Sequence, residues 1–523
     1  MTAIVEKPSG YVFGIDLGTT NTAISVYKNG KAQNLKVDGQ KTMPSVVSVL
    51  KTGEILVGSQ AKSRTLLAPE STVYSIKRQM GTGWKKTFEE LPGREFSATD
   101  ISAEILHQLV TKVQQNESSE LDGHPKYVVV CVPAIFNDAQ RKATRKAAAI
   151  AGLEVLTLLE EPVAAAYAYA MEKERDQTIL IYDLGGGTFD VSILKVDSTQ
   201  DHHKRFTVLA KEGVAHLGGD DFDQILMDVV ACEFTSSTGI HLFDPQKHPG
   251  ISRKKFLLAQ QKILDAVNTA KHELSEATTA TIDIPNLIQD EKGQAYHIEE
   301  HILTRIEFYG EIRDLIYATR EAVSRSLIAA KLTIAGIDRI ILVGGSTRIP
   351  FIREMLKDYF KKEPYSDMDP DTAIARGAAI LGSILLLPDP DLSKPENLPA
   401  FSIEQQDIVT HYMGIEVIGG KFSVLIEKGT PILSSHPVVV HNEYTTPRDY
   451  MTELIIRVYQ SPERVEHVAD KGVECIGEFV LKGILPKPKG EERILVMFEI
   501  NSENLLTVSA SSSSSAELEV LSL

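Results

Sequence analysis

Residues 179–194, ILIYDLGGGTFDVSIL, constrain this chain more than any other stretch. They open as a buried strand, Ile179, Leu180, Ile181 and Tyr182 forming a short apolar run rich in β-branched residues. The chain then turns through Asp183, Gly185, Gly186, Gly187 and Thr188 and returns as a second strand. Consecutive glycines cost backbone entropy that a simple tight turn does not require. They fit a backbone that approaches a ligand, its N–H groups aimed at an anion. Asp183 and Asp190 at the edges add seats for a hard cation such as Mg²⁺, which keeps waters and bridges phosphates.

The same pattern stands near the N-terminus. Residues 13–26, FGIDLGTTNTAISV, run from an apolar strand through Asp16, Leu17, Gly18, Thr19, Thr20 and Asn21 into a returning strand. Two copies of strand, Asp-Leu-Gly, hydroxyl and strand imply two similar lobes facing one nucleotide, each supplying a phosphate-binding hairpin. A third glycine turn, ILVGGSTRIP at 341–350, follows another apolar strand and opens a helix, a natural seat for an anion or nucleoside. A fourth, HLGGDDFD, places Gly218 and Gly219 before a further helix.

With these motifs in order, the chain resembles the seventy-kilodalton heat-shock chaperone family (DnaK-type), within the actin and sugar-kinase superfamily. FGIDLGTTN, SIKRQMG, VPAIFNDAQR, EEPVAAAYAYA, IYDLGGGTFDVSIL, HLGGDDFD and VGGSTRIP carry the resemblance from Gly14 to about Gly382, and GEFVLKGILPKPKG extends it further. The resemblance implies an ATPase with ATP/ADP and Mg²⁺ as ligands, K⁺ being left open. It gives Lys77 the task of orienting the attacking water, with Glu161, Asp183 and Thr188 as catalytic partners and Asp16, Asp183 and Asp190 around the metal. Gly18, Thr19, Thr20, Asn21, Gly185, Gly186, Gly187, Gly218 and Gly219 fall to the phosphates. Lys271, Ser275, Gly344, Gly345, Ser346, Arg348 and Asp371 fall to the nucleoside, with Asn268 where the family has glutamate. Pro133 and Arg141 resemble a switch pair relaying nucleotide state between domains. Without that reading, the basic helix face of Arg141, Lys142, Arg145 and Lys146 is a solvated one, with Asp138 as helix cap.

Composition narrows the class. Of 523 residues, 43% are hydrophobic and 24% charged, ordinary for a globular chain of two or three domains. The net charge of −16 leaves no basic excess for nonspecific nucleic-acid binding. No apolar run approaches the roughly 20 residues that cross a bilayer, and MTAIVEKPSGYVFG shows no signal-peptide core, so the expected location is cytoplasmic. The scattered Cys131, Cys232 and Cys475 read as small buried hydrophobes in a reducing compartment.

The proline-rich PDPDLSKPENLPAF separates two chemistries. Before it lies the ATPase domain, 11–387; 388–407 is the linker; 408–523 is a run of short alternating strands. In ELIIRVYQ both strand faces are partly apolar. The resemblance lines a groove for extended apolar peptide with Ile415, Val417, Ile418, Leu454 and Ile456. Three departures stand out. Ile403, Glu404, Gln405 and Gln406 replace the leucine-rich linker sequence before Asp407. Thr157 and Glu160 replace a basic residue and an asparagine where J-domain partners touch. The chain ends after ELEVLSL, so no C-terminal helical lid is expected.

The expected fold is thus an α/β actin-like, two-lobed ATPase domain followed by an all-β sandwich. The expected function is ATP-dependent chaperoning of unfolded polypeptides. A J-domain co-chaperone and a nucleotide-exchange factor are family partners whose coupling the altered linker, Thr157 and Glu160 put in question. The alternative is an ATP-binding, weakly or non-hydrolysing regulator of another chaperone. An actin-like filament or sugar kinase would share the hairpins and leave the β module unexplained.

Overall fold

A computed structural model describes residues 11–117, 125–170, 176–198, 204–365, 367–385, 403–433, 437–514 and 518–522. The first hairpin, strands Val12–Leu17 and Asn21–Lys28, lies in a mixed sheet whose other members include Tyr127–Val132 and Glu154–Glu160. Val12–Leu17 pairs in parallel with Tyr127–Val132 and antiparallel with Asn21–Lys28. The second hairpin repeats this plan. Gln177–Leu184 runs parallel to Arg339–Val343 and antiparallel to Phe189–Ser198, which continues to Lys204–Val214. Strands flanked by helices on both faces are buried on both faces, which explains their unbroken apolar runs. Residues 179–182 are fully buried.

The helices Glu161–Ala170 and Ala373–Leu385, alanine-rich and almost wholly buried, pack together beneath the cleft floor. Helices Gly219–Thr238, Arg253–Glu276 and Arg305–Ala329, with the hairpin Thr279–Gln289 and Ala295–Thr304, build the outer part of the second lobe around one apolar core. Helix Asp138–Ile150 is capped by Asn137, whose side chain and that of Gln140 form a reciprocal capping box. The cap lies one residue before the expected Asp138. Asp138 instead accepts from the Leu506 N–H.

The C-terminal module is a sandwich of two four-stranded sheets, in the orders Lys421–Ile426, Tyr412–Val417, Leu454–Ser461, Glu474–Leu481 and Val438–Thr445, Arg493–Ile500, Leu506–Ser512, Leu518–Ser522. Its core includes Ile415, Ile456, Val458, Val496, Phe498 and Val508. Residues 388–402 of the expected linker lie outside the described residues. The rest is not a free connection. Ile403–Ile408 is a strand paired in parallel with Lys204–Val214 and antiparallel with Pro431–Leu433, so the second lobe's sheet runs on into the β module.

Cys131 is buried as expected, but Cys232 and Cys475 are exposed. Each sits at a solvent-side position of its element, where helical or strand periodicity outweighs residue type. Among the described residues, no helix is long and apolar enough to cross a membrane.

Candidate nucleotide site

The two hairpins face each other across a cleft of about 300 Å³. Ser45 fixes the first one. Its backbone N–H donates to Thr20 O, its Oγ to Gly18 O, and it shares a hydrogen bond with Thr22 Oγ1. The hairpins approach so closely that a Cβ on Gly186 would lie 2.0 Å from Thr20 Oγ1. The third turn closes on the second hairpin from the side. Gly344 has φ +82°, and a Cβ there would lie 2.4 Å from Leu184 O, so conformation and space both require glycine. Ser346 Oγ then donates to Gly185 O at 2.8 Å.

Asp16, Gly18, Thr19, Thr20, Asn21, Lys77, Glu161, Asp183, Gly185, Gly186, Thr188 and Gly219 line this cleft. Lys271, Ser275, Gly344, Gly345, Ser346, Arg348 and Asp371 line it as well. Gly187, Gly218 and Asp190 lie just behind the wall. Asn268 also faces the cleft, its Nδ2 donating to Asp223 Oδ2 at 2.9 Å beside the Lys271–Asp223 ion pair of 2.7 Å. Arg348 bonds Asp371 at 2.6 Å. The sequence reading missed Thr42, Asp220, His272, Glu276, Ile349, Pro370 and Ile374 in this wall. His272 and Glu276 follow Lys271 and Ser275 directly on one helix, a neighbourhood that was legible.

Charge in the cleft is unbalanced. Lys77 Nζ donates to Glu161 Oε1 at 2.5 Å in a buried pair, yet Asp16, Asp183 and Asp190 crowd the same pair. Asp183 and Asp190 stand directly opposite each other across the hairpin, a destabilising arrangement for like charges. Burial, with Glu161 beside it, pushes Asp16 up to about 7 and Asp190 up to about 8. Burial followed by Glu161, Asp190 and Asp16 raises Asp183 as well. Burial works against the Lys77 ammonium, but Glu161 and Asp16 outweigh it and hold its pKa above the ordinary lysine value.

Asp183 Oδ2 is buried without a hydrogen-bond partner. Excess carboxylate with an orphaned oxygen fits a divalent cation.

Behind the cleft, Pro133 starts a turn whose Ile135 N–H donates to Asp190 Oδ1 at 3.2 Å. Arg141 donates to the carbonyls of Phe136 and Ala134 and to Glu160 Oε1 at 2.7 Å. Glu160 also pairs with Lys211, and Lys211 with Asp407 of the linker strand. All four side chains are buried. Burial opposes ionisation of Glu160, but Lys211 and Arg141 hold its carboxyl below the ordinary value. The helix face read as solvated is therefore engaged in part, with Lys146 exposed as expected. Arg141 is in the quartet, Lys142 pairs with Asp138, and Arg145 pairs with Glu503 of the β module at 2.5 Å.

The expected peptide-groove residues are not gathered on one open surface. Ile415 and Ile456 point into the sandwich core, Val417 and Leu454 are half-buried, and Ile418 is exposed. Strand alternation turns Leu454, Ile456 and Val458 inward and leaves Ile455 outward, opposite Val480.

Paired glycine hairpins across a cleft with uncompensated acids define a two-lobed nucleotide-binding protein of the actin type, with a β-rich module attached. The Hsp70 protein family model matches residues 12–521. Chaperone protein DnaK of Thermotoga neapolitana is 41% identical over 503 residues, 96% of this chain and 78% of that protein. Chaperone protein DnaK of Thermosipho africanus is 39% identical over 503 residues, 96% of this chain and 77% of that protein. The chain belongs to the Hsp70 family of ATP-binding chaperones.

Proposed function

We propose that this chain hydrolyses Mg²⁺·ATP and uses the nucleotide cycle to regulate binding of apolar segments of unfolded polypeptides by its β module. The observation that carries the reading is the buried Lys77–Glu161 pair set among acids that it cannot neutralise.

Water attacks the γ-phosphorus in line. The new P–O bond forms as the bond to the β,γ-bridging oxygen breaks, giving ADP and phosphate. Catalysis of this kind is mostly positioning and charge stabilisation. The hairpin N–H groups with Thr19, Thr20 and Thr188 hold phosphate oxygens. Lys77 neutralises charge at the γ-phosphate and orients the water, while Glu161 fixes Lys77 and accepts a hydrogen bond from that water. Asp16, Asp183 and Asp190 would hold Mg²⁺, which would supply charge neutralisation when bound. At the nucleoside end Lys271, Ser275, Arg348 and Asn268 face the ribose and base. With one N–H of its Nδ2 engaged by Asp223, Asn268 keeps its Oδ1 and its second N–H for the nucleoside.

The linker strand and the Glu160 quartet support coupling between the domains, since Glu160 and the catalytic Glu161 are consecutive residues facing opposite sites. Family partners of the J-domain and exchange-factor kinds remain part of this reading.

Single-turnover hydrolysis by the whole chain, with and without an unfolded apolar peptide and beside Lys77→Ala, tests it. The expected result is turnover that peptide accelerates and that Lys77→Ala lowers by about a hundredfold or more. Tight ATP binding with turnover no faster than the variant's would overturn it.

A further inference from the structure

The catalytic lysine sits on a short turn, Ile76–Gln79, and the residues on both sides of it reach across the cleft. Ser75 Oγ donates to Asp220 Oδ2 at 2.6 Å. The Arg78 guanidinium grips Asp221, Nη2 on Oδ2 and Nη1 on Oδ1 at 3.2 Å, and Nη2 also donates to Gly186 O at 3.3 Å. A Cβ on Gly187 would lie 2.8 Å from Arg78 Nε, so this side chain is seated on the phosphate-binding hairpin itself. The acids are fixed in turn. Asp221 Oδ2 accepts from Gly218 N–H at 2.8 Å, and Asp220 N–H donates to Gly186 O at 2.8 Å.

Ser75 has φ 52° and ψ 30°, a left-handed backbone that costs energy for a non-glycine residue. Such a conformation persists only where its surroundings over-determine it. Here the surroundings include the Asp220 carboxylate of the opposite lobe. Between the two tethers, Lys77 points inward to Glu161.

We propose that residues 75–78 form a cross-cleft strap and that Asp220 and Asp221 are positioning residues which set Lys77 when the lobes close. The first lobe carries the lysine, but the second lobe determines where it stands. Opening the cleft breaks the Ser75 and Arg78 bonds together, releases the turn and withdraws Lys77 from the γ-phosphate. Closure thus becomes a precondition of hydrolysis and a brake on nucleotide release. A bidentate, charge-assisted pair suits this task because it is directional and is lost with a small displacement.

The hydrolysis arm of the test rests on the ATPase reading; the release arm does not. Asp221→Asn keeps an acceptor for Gly218 N–H and removes the ion pair. In the full chain it is expected to slow single-turnover hydrolysis at saturating ATP about tenfold, and to speed dissociation of fluorescently labelled ADP by a similar factor. Combined with Arg78→Gln it is expected to be no worse than Arg78→Gln alone, because both act through one pair. A purely structural role would instead lower the melting temperature and leave the rate at saturating ATP unchanged in the folded fraction. Hydrolysis within twofold of wild type, or effects that multiply in the double variant, would overturn the strap. If wild type itself does not turn over, the ATPase reading fails and ADP release alone decides. Unchanged release in Asp221→Asn then overturns the strap, and accelerated release supports it.

Discussion

Two buried ionic clusters share a peptide bond, Glu160 belonging to one and Glu161 to the other. At the domain junction Arg141, Glu160, Lys211 and Asp407 balance, two charges of each sign. On the cleft floor Asp16, Glu161 and Asp183, with Asp190 just behind them, crowd around Lys77. At the junction each charge has an opposite one beside it, although burial and Glu160 hold the Asp407 carboxyl above its ordinary value, and losing one member leaves an uncompensated charge. An unbalanced cluster is under strain until something positive arrives. The junction is built to hold, the cleft to be filled.

The comparison is broken most sharply at Glu160. Glu160→Gln is expected to destabilise the chain by about 3 kcal/mol, since two cations then face Asp407 alone. Adding Lys211→Met should recover most of that loss. Urea unfolding of both variants checks this, and an additive loss would mean that the quartet is not a unit. The cleft should respond with the opposite sign. Asp183→Asn is expected to stabilise the nucleotide-free chain by about 1 kcal/mol while weakening Mg²⁺·ATP binding about tenfold. Calorimetric titration with and without Mg²⁺ reads the second effect.

Acidity sharpens the contrast. Asp16 and Asp190, raised to about 7 and about 8, hold protons in the folded chain that the unfolded chain has released. Their contribution is full at low pH and is lost as pH rises through those values. The melting temperature of the nucleotide-free chain should therefore drop by a few degrees between pH 6 and pH 9, a slope that saturating Mg²⁺·ATP flattens. Glu160 has the reverse sign. Its depressed pKa stabilises above the ordinary 4.5 and is lost on acidification below it. The smallest effect belongs to the half-buried rim of the junction. Glu503→Gln weakens the Arg145 pair and should cost about 1 kcal/mol, less at high salt.

The cleft was legible because its chemistry is local. Each hairpin spells strand, acid, glycines and hydroxyl within about a dozen residues, and that repetition implied two lobes before any contact was known. The junction was legible only in part: the resemblance singled out Arg141, Glu160 and the segment before Asp407, but nothing marked Lys211, and nothing said that the four side chains meet. The helix of Arg141 has a plain amphipathic pattern, which describes a solvated face and an occupied one equally well. The linker illustrates the same limit. A proline-rich composition marks a connection, but Ile403–Ile408 becomes a strand because the edge of Lys204–Val214 offers it a ladder. Alternation did show which way Ile456 and Ile455 point. It could not say which side would be core; the resemblance alone placed Ile415 and Ile456 in a groove, and their side chains pack in the sandwich core. Thr42 and Pro370 reach the cleft from loops with no motif of their own.

That linker strand has a second consequence. By lying along Lys204–Val214 it covers what would otherwise be the open margin of the second lobe's sheet. Whenever it lifts away, a row of unpaired amide and carbonyl groups is bared, a template on which another chain can add. Lys204 and Arg205 stand where that margin would open, charges of the kind that discourage such pairing. Each release of this strand would uncover an adhesive border, so the tendency to self-associate should rise with the time spent undocked.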